Sequence, residues 1–336
     1  MTKNGCKYFS DLSNGKLSLK PIEPILTHMK KVMKFKEVPK DLINKGAYGS
    51  KITEELTRLH LSIVRGRKSW KGLLVAFPGN RRDLRTSNVG TPYIRMILYP
   101  ILDLLHRLNQ YEKRNMPCVY LVGDRFSDVL LRKFNLLNQV VPNVIILTND
   151  FYNNATNEVR FPDTKKNYDH EVWWQKQLCL LLDSEQGLNI PINENKCINA
   201  RLLSHEVPAS EGTEDHERLD ILCYDTKDHS LIAFELKGPK CGKVEFENLF
   251  LQGMEHRNWL ERNKMAVKFL YDGPGGRKIH SRKRVKLILG FCHEVVPSLF
   301  YKLREEAKRK DRYLDIHFCR YTVLNKTTGE IRLESV

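Results

Sequence analysis

Residues 217–238 read ERLDILCYDTKDHSLIAFELKG, two apolar segments joined by a polar turn. Each segment is mostly apolar, and the period of two of a β-strand places its successive side chains on opposite faces. The joining residues 225–230, DTKDHS, are of the kinds that favour chain reversal. The stretch therefore predicts an antiparallel hairpin, and the sequence leaves its register open.

Ionisable residues interrupt both strands of this hairpin. Glu235 and Lys237 share one face of the second strand, about 7 Å apart along the backbone. Asp220 stands on the first strand and can meet Glu235 across the hairpin. Burying an isolated charge costs several kcal/mol unless it is paired or bound to a metal. The pattern therefore predicts that these side chains share a partner.

The arrangement resembles the PD-(D/E)XK nuclease superfamily, in which an acidic residue on one strand is followed by acid-x-Lys on the next. Asp220 and Glu235-Leu236-Lys237 stand in that pattern, and the resemblance covers about residues 165–300. Leu219 precedes Asp220 where the superfamily's name has proline, a position at which its members vary. The resemblance implies a restriction-endonuclease-like α/β domain with a mixed central sheet.

Two helical positions extend the resemblance. Glu171, on a helix ahead of the strands, matches the acidic helix residue that many members carry. Gln252 matches the glutamine on the helix after the lysine strand. Gln252 and His256 are four residues apart, similar to the Gln-x-x-x-Tyr element of the RecB-like branch, with histidine where tyrosine is usual.

The resemblance implies Mg²⁺-dependent hydrolysis of phosphodiester bonds, with DNA as the first choice of substrate and Mn²⁺ able to substitute. A hard cation held by carboxylates neutralises charge on the phosphate and lowers the pKa of its bound water. Lys237, close to that cation, is expected to have a lowered pKa and to position or deprotonate the attacking water. Gln252 would orient a water or a backbone phosphate, or equally would hydrogen-bond Lys237. The expected metal ligands are Asp220, Glu235, the backbone carbonyl of Leu236, and Glu171.

Each of these residues also has a simpler interpretation. An acid-x-Lys strand can be a cross-strand ion pair on a solvated sheet face, and the fold can be an inactive nucleic-acid-binding module. Glu171 can serve only the helix dipole or the packed helix face, and Gln252 can be an ordinary polar helix residue. Glu206 is a further candidate ligand, although an exposed strand residue is the favoured interpretation.

The charge balance favours a polyanionic partner. The 336 residues contain 56 Lys and Arg against 40 Asp and Glu, a formal net charge of +16. Residues 277–286, RKIHSRKRVK, are predicted as a basic hairpin arm that contacts nucleic acid, with a solvated charge run or a nuclear import signal as alternatives. Its basic residues are Arg277, Lys278, Arg282, Lys283, Arg284 and Lys286.

A different pattern, strands alternating with helices, covers residues 71–150. Strands are predicted at 71–78, 118–124 and 143–150, and helices at 93–110 and 127–140. This alternation predicts a Rossmann-like parallel sheet. The loop after the first strand is a candidate phosphate site, with a basic surface loop as the favoured interpretation, and it carries Arg81, Arg82, Arg85, Thr86 and Ser87. The domain order is also that of nucleotide-sensing (CARF) defence nucleases.

The predicted organisation has four parts. They are a helical, basic N-terminal extension (1–70, with helix-like stretches at 25–36 and 50–64), the Rossmann-like domain (71–150), a linker (151–168) and the nuclease domain (169–336). The sequence has no apolar run long enough to span a bilayer, and its start lacks a signal peptide's apolar core. Together these two features predict an intracellular, cytoplasmic protein. Eight scattered cysteines form no Cys-x-x-Cys pair, so no zinc ribbon or redox motif is indicated, and most lie in apolar segments typical of reduced core residues. Members of the superfamily often pair as homodimers, and the oligomeric state stays open.

Overall fold

The computed structural model describes the greater part of the chain. The described residues are 19–44, 56, 59–67, 70–78, 91–126, 130–131, 134, 136–156, 171–209, 218–238, 243–271, 278–292, 301–303, 305–306, 309, 315–325 and 330–335. They divide into two compact units, one up to Tyr152 and one from Asn153 onward.

The described residues of the first unit include five strands and four helices. Three of its strands, β3 to β5, are apolar along almost their whole length and are buried, as expected for strands covered on both faces. Its strands are β1 (Lys34–Glu37), β2 (His60–Arg65), β3 (Gly72–Ala76), β4 (Cys118–Gly123) and β5 (Asn143–Thr148). Its helices are α1 (Glu23–Val32), α2 (Lys40–Asn44), α3 (Thr91–Tyr111) and α4 (Asn149–Thr156).

The sheet of the first unit is mixed, with its strands in the order β1-β2-β3-β4-β5. The predicted parallel pairing is confirmed for β3, β4 and β5. Two further strands lie outside the predicted range, and there β1 pairs antiparallel with β2 and β2 pairs antiparallel with β3. Because the strand order never reverses, the described strands contain no switch point of the kind at which open sheets bind ligands.

Three predicted segments of the first unit need correction. The helix predicted over residues 50–64 is wrong at 60–64, where Leu61, Ile63 and Val64 are buried in strand β2 between two neighbouring strands. The helix predicted over 25–36 ends at Val32, and β1 follows. These two strands join residues 34–37 and 60–65 to the sheet of residues 72–148, instead of leaving them in a helical extension. The predicted linker begins inside α4, where Phe151 is buried.

Two further predictions concern residues that the structure describes only in part or leaves undescribed. Helix 127–140 is described only in part, with helical residues at 130, 131, 134 and 136 and a short 3-10 turn, Leu137–Gln139. The loop with Arg81, Arg82, Arg85, Thr86 and Ser87 lies outside the described residues.

The described residues of the second unit include seven strands and two helices. The strands are β6 (Leu188–Asn193), β7 (Lys196–Pro208), β8 (Arg218–Asp225), β9 (Leu231–Lys237), β10 (Lys286–Phe291), β11 (Ile316–Asn325) and β12 (Glu330–Ser335). The helices are α5 (Glu171–Leu182) and α6 (Lys243–Tyr271), and residues 301–303, 305, 306 and 309 are also helical.

The second sheet is also mixed, in the order β12-β11-β10-β9-β8-β7-β6. Strands β6 to β9 pair antiparallel in succession, which confirms the predicted hairpin, and β10 and β11 then add parallel to β9. The sequence interpretation did not include β6 and β12. Both are partly exposed end strands, and Pro191 within β6 weakens its strand signal.

Helix α5 packs on this sheet through one apolar stripe. Trp174, Leu178 and Leu182 are buried among strand residues that include Ile221 and Phe234. This contact fixes the start of α5 beside the first residues of β8 and the last residues of β9.

No helix in the described part of the chain is long and apolar enough to cross a membrane.

Candidate active site

The register of the β8–β9 hairpin decides how its two acids meet. Ile221 pairs with Phe234, so the next position along the same register brings Asp220 opposite Glu235. Opposite side chains of an antiparallel pair lie on one face with Cβ atoms about 5 Å apart. The Oδ2 atom of Asp220 accepts a hydrogen bond of 2.7 Å from the amide nitrogen of Leu236. The register therefore places opposite each other the two acids for which the sequence predicted only that they can meet.

Glu235 is completely buried, with its two oxygens in different surroundings. Oε1 lies 2.5 Å from Nδ1 of His256 on α6, and this imidazole is also fully buried. Oε2 has no hydrogen-bond partner among the described residues. Burial disfavours the charged carboxylate and raises the pKa of Glu235 to about 8, although Asp220 and Lys237 offset part of the effect.

Asp220 experiences the same two influences. Its burial and the neighbouring charge of Glu235 raise the pKa of Asp220 well above its ordinary value, while the Leu236 amide opposes the rise. Two adjacent acids whose pKa values are both raised hold protons readily when no cation is bound. A cation between them would favour both ionised forms.

Lys237 meets the third acid of the site. Its Nζ lies 3.2 and 3.4 Å from the two carboxylate oxygens of Glu171, the first residue of α5. The amide of Gly238 donates to the same carboxylate at 3.3 Å. A Cβ at Gly238 would lie 3.3 Å from the backbone nitrogen of Glu171, so the glycine allows the close approach of helix and strand end. The structure thus brings Glu171, Lys237, Asp220 and Glu235 together.

The charge state of Lys237 follows from these neighbours. Burial lowers the pKa of Lys237, but the carboxylates of Glu171, Asp220 and Glu235 together outweigh it, and the pKa is raised. In the cation-free chain Lys237 is therefore an ammonium group at neutral pH. The lowered pKa expected beside a bound cation remains a prediction for the metal-bound site.

Gln175, which the sequence interpretation did not assign to the site, supports the site through two hydrogen bonds. The buried Gln175, one turn after Glu171, donates from Nε2 to the backbone oxygen of Asp220 at 2.8 Å. The same nitrogen donates to Oε1 of Glu206 at 2.7 Å. A buried glutamine on an otherwise apolar helix stripe was the available signal, because a buried amide needs partners.

Glu206 lies next to the site and is not the exposed strand residue that the sequence favoured. The β7–β8 register places it opposite Asp220, between the pairs formed by His205 and Val207. Its backbone has φ of +50°, which is uncommon for a residue with a side chain. Glu206, Asp220 and Glu235 therefore stand in one row across three neighbouring strands.

The described residues offer two carboxylates to a small, hard cation, but no larger set of ligands. No group of three or more His, Cys, Asp or Glu side chains in the described part of the chain is arranged to hold a metal ion. Asp220 and Glu235 still offer carboxylate oxygens, and the buried Oε2 of Glu235 accepts no hydrogen bond from the part of the chain that the structure describes. Mg²⁺ characteristically keeps several waters and takes only one or two protein carboxylates, which suits this pair.

The remaining predicted positions are less closely tied to the acids. Glu171 faces Lys237, so its role as a metal ligand stays a prediction. Leu236 contributes its amide to Asp220, and the role of its carbonyl also stays a prediction. Gln252 is partly exposed on α6, and no hydrogen bond within the described residues links it to the site. One turn later, His256 makes the contact with Glu235.

The basic run at 277–286 is not a projecting hairpin arm in its described part. Residues 278–285 form a turn and extended chain that lead directly into β10, with Ile279 and Val285 buried. The side chains of α6 hold it, since Arg257 donates to the Val285 carbonyl and Glu261 accepts from the Val285 amide. The exposed basic residues are Lys278, Arg282, Lys283 and Arg284, and Arg277 lies outside the described residues.

The prediction that Lys286 contacts nucleic acid is wrong, because this lysine is buried within the protein. Its Nζ lies 2.6 Å from Asp225 and 3.0 Å from Asp228, and the lysine and Asp225 are buried. Burial lowers the pKa of Lys286, but the hydrogen bonds to both aspartates outweigh it and the pKa is raised. The ammonium is therefore an internal ion-pair partner that fastens β10 to the β8–β9 turn.

Replacing Lys286 by methionine is expected to lower the free energy of unfolding by about 2 kcal/mol, because it leaves Asp225 buried without its counter-charge. Urea titration at neutral pH measures the loss. The exposed Lys283→Met is the matched control, with little change in stability. A stable Lys286→Met protein that binds duplex DNA more weakly than Lys283→Met would contradict the internal role.

No protein-family model and no curated protein matches this chain.

Proposed function

We propose that this chain is a Mg²⁺-dependent nuclease that hydrolyses phosphodiester bonds of nucleic acid, DNA in the first place. The observation that carries the proposal is the meeting of Asp220 and Glu235 across one hairpin, with Lys237 two residues further along β9 beside Glu171. The mixed sheet, with α5 before the acidic strands and α6 after them, agrees with the resemblance to PD-(D/E)XK enzymes.

The chain's own residues have separate tasks in this reaction. Asp220 and the free oxygen of Glu235 would hold Mg²⁺, which supplies charge neutralisation at the phosphate and a more acidic bound water. The Lys237 ammonium would contact a phosphate oxygen and stabilise the negative charge that develops there. Glu171 keeps this ammonium in place through its two oxygens, and Gln175 holds the backbone at Asp220.

The partner and compartment belong to the same proposal. The formal charge of +16 and the exposed Lys278, Arg282, Lys283 and Arg284 suit a polyanion. A chain with one site would cut both strands of a duplex as a homodimer. The free cysteines among the described residues suit a reducing, cytoplasmic setting.

One observation favours a second candidate, a nucleic-acid-binding module without catalysis. The charged groups of the site have partners within the chain, since Glu171 faces Lys237 and His256 contacts Glu235. Such internal pairing can hold a degenerate site together in the absence of a cation. The burial of two neighbouring acids, Asp220 and Glu235, weighs against this candidate, because such a pair is costly in a purely structural role.

The full chain is expected to cut labelled DNA in Mg²⁺ or Mn²⁺, to stop when the metal is chelated, and to resume when it is restored. Single- and double-stranded DNA and RNA of one sequence, tested side by side, assign the substrate. Gel shifts under chelation report binding without cutting. Binding without cleavage of any substrate in either metal would favour the binding module and overturn the nuclease.

A further inference from the structure

The two oxygens of Glu235 are not equivalent. Oε1 contacts Nδ1 of His256 at 2.5 Å, whereas Oε2 has no hydrogen-bond partner within the described residues. Both side chains are 0 % exposed, so neither carboxylate oxygen is open to bulk solvent in the cation-free chain. One oxygen is therefore fixed and the other is left as the acceptor for an incoming ligand.

The position of His256 is itself determined by close packing of α6 on the sheet. Gly253 lies one turn before it, and a Cβ there would stand 2.7 Å from a methyl carbon of Leu289 and 3.4 Å from Cγ of Glu235. The glycine thus permits helix and strand to touch at Glu235. Leu249 and Leu260, on the flanking turns, are fully buried and hold the helix in this place.

We propose that His256 is a positioning residue, whose Nδ1–H donates to Oε1 of Glu235 and so fixes Oε2 as the oxygen offered to the divalent cation. The inference rests on the proposed nuclease function. Histidine–carboxylate pairs commonly orient metal ligands, and loss of such a partner typically costs ten- to a hundredfold in metal affinity. His256 would accordingly act on cation affinity through Glu235 and would not touch nucleic acid.

A purely structural contact between helix and strand makes a different prediction. It would change the melting temperature when His256 is altered and leave cation affinity per folded molecule unchanged. The two roles therefore separate in a binding measurement on folded protein.

Two polar replacements provide the test. The amide of His256→Asn can place an N–H near the position of Nδ1, whereas the longer His256→Gln places its amide near Nε2. His256→Asn is expected to keep Mn²⁺ affinity within about threefold of the original chain, and His256→Gln to lose about tenfold or more. Mn²⁺ binding is measured on the full chain by electron paramagnetic resonance or calorimetry, with the melting temperature and oligonucleotide affinity of each variant.

Each outcome decides the inference. Equal Mn²⁺ affinity in both variants and the original chain, which still cleaves nucleic acid, would overturn the positioning role and leave the nuclease standing. Absence of Mn²⁺ binding and cleavage in the original chain would overturn both. Loss of the folded state in both variants would assign the contact to stability alone and also overturn the positioning role.

Discussion

Lys237→Ala is expected to lose hydrolysis by about a thousandfold or more while the protein still binds nucleic acid. The variant removes one ammonium from the reacting face and leaves Asp220 and Glu235 in place. Binding survives because the exposed basic residues of the 278–284 segment lie outside the change. The rate therefore falls at the chemical step.

The size of this effect follows from the surroundings of Lys237. Its side chain is 18 % exposed, so the ammonium acts in a partly water-excluded place where a charge has a larger effect than in bulk solvent. Glu171 holds it at 3.2 Å, which fixes the charge before the substrate arrives. A preorganised cation of this kind needs no rearrangement during the reaction.

Single-turnover cleavage in Mg²⁺, with gel shifts under chelation, measures the two parts of this prediction. Lys196→Ala, which removes an exposed lysine at the start of β7, is the matched control and should cut at the original rate. Cleavage by Lys237→Ala within tenfold of the original chain would remove Lys237 from the chemistry. Equal loss of binding and cleavage would make it a substrate contact instead.

The sequence predicted much of this site because its signals are local. The period of two placed Glu235 and Lys237 on one face of β9, and the polar turn predicted antiparallel pairing with the strand of Asp220. The register could not be predicted, since it depends on which apolar residues of both strands face the core. The structure supplies it through the pairing of Ile221 with Phe234.

The contacts that the sequence did not predict depend on distant parts of the chain. Gln175 and Glu206 meet across 31 positions, and Lys286 reaches Asp225 across 61. A lysine in a run of basic residues has the same local pattern whether it faces solvent or a buried aspartate. Strand β2 was predicted as a helix for a similar reason, because only its neighbours in the sheet, β1 and β3, decide between strand and helix.

Glu235→Gln is expected to stabilise the cation-free chain at pH 8 by roughly 4 kcal/mol and to abolish hydrolysis. A carboxylate whose pKa is raised by burial costs stability when it ionises, and an amide of the same shape cannot ionise. The glutamine oxygen can still accept the hydrogen bond from His256. The same residue would thus be unfavourable for folding and required for the reaction.

The direction of the pH dependence follows from the two pKa values of Glu235. Its ordinary value is 4.5, and the folded chain raises it to about 8. Between these values the folded chain keeps a proton that the unfolded chain has released, so the free energy of unfolding falls as the pH rises. Below 4.5 the carboxyl is neutral in both states and the penalty is absent. Above about pH 8 the penalty is complete and constant.

Urea titrations under chelation compare the original chain with Glu235→Gln between pH 5 and 9. This range covers most of the interval between the ordinary pKa of Glu235, 4.5, and its raised pKa of about 8. The difference in unfolding free energy should widen from pH 5 to 8 and then level off. Glu245→Gln, at an exposed position of α6, is the control and should parallel the original chain. Added Mg²⁺ should stabilise the original chain and leave Glu235→Gln unchanged, because bound cation favours the ionised carboxylate that the amide cannot provide. A Glu235→Gln protein that is less stable at pH 8, with the original pH slope, would show that Glu235 is ionised in the fold without penalty.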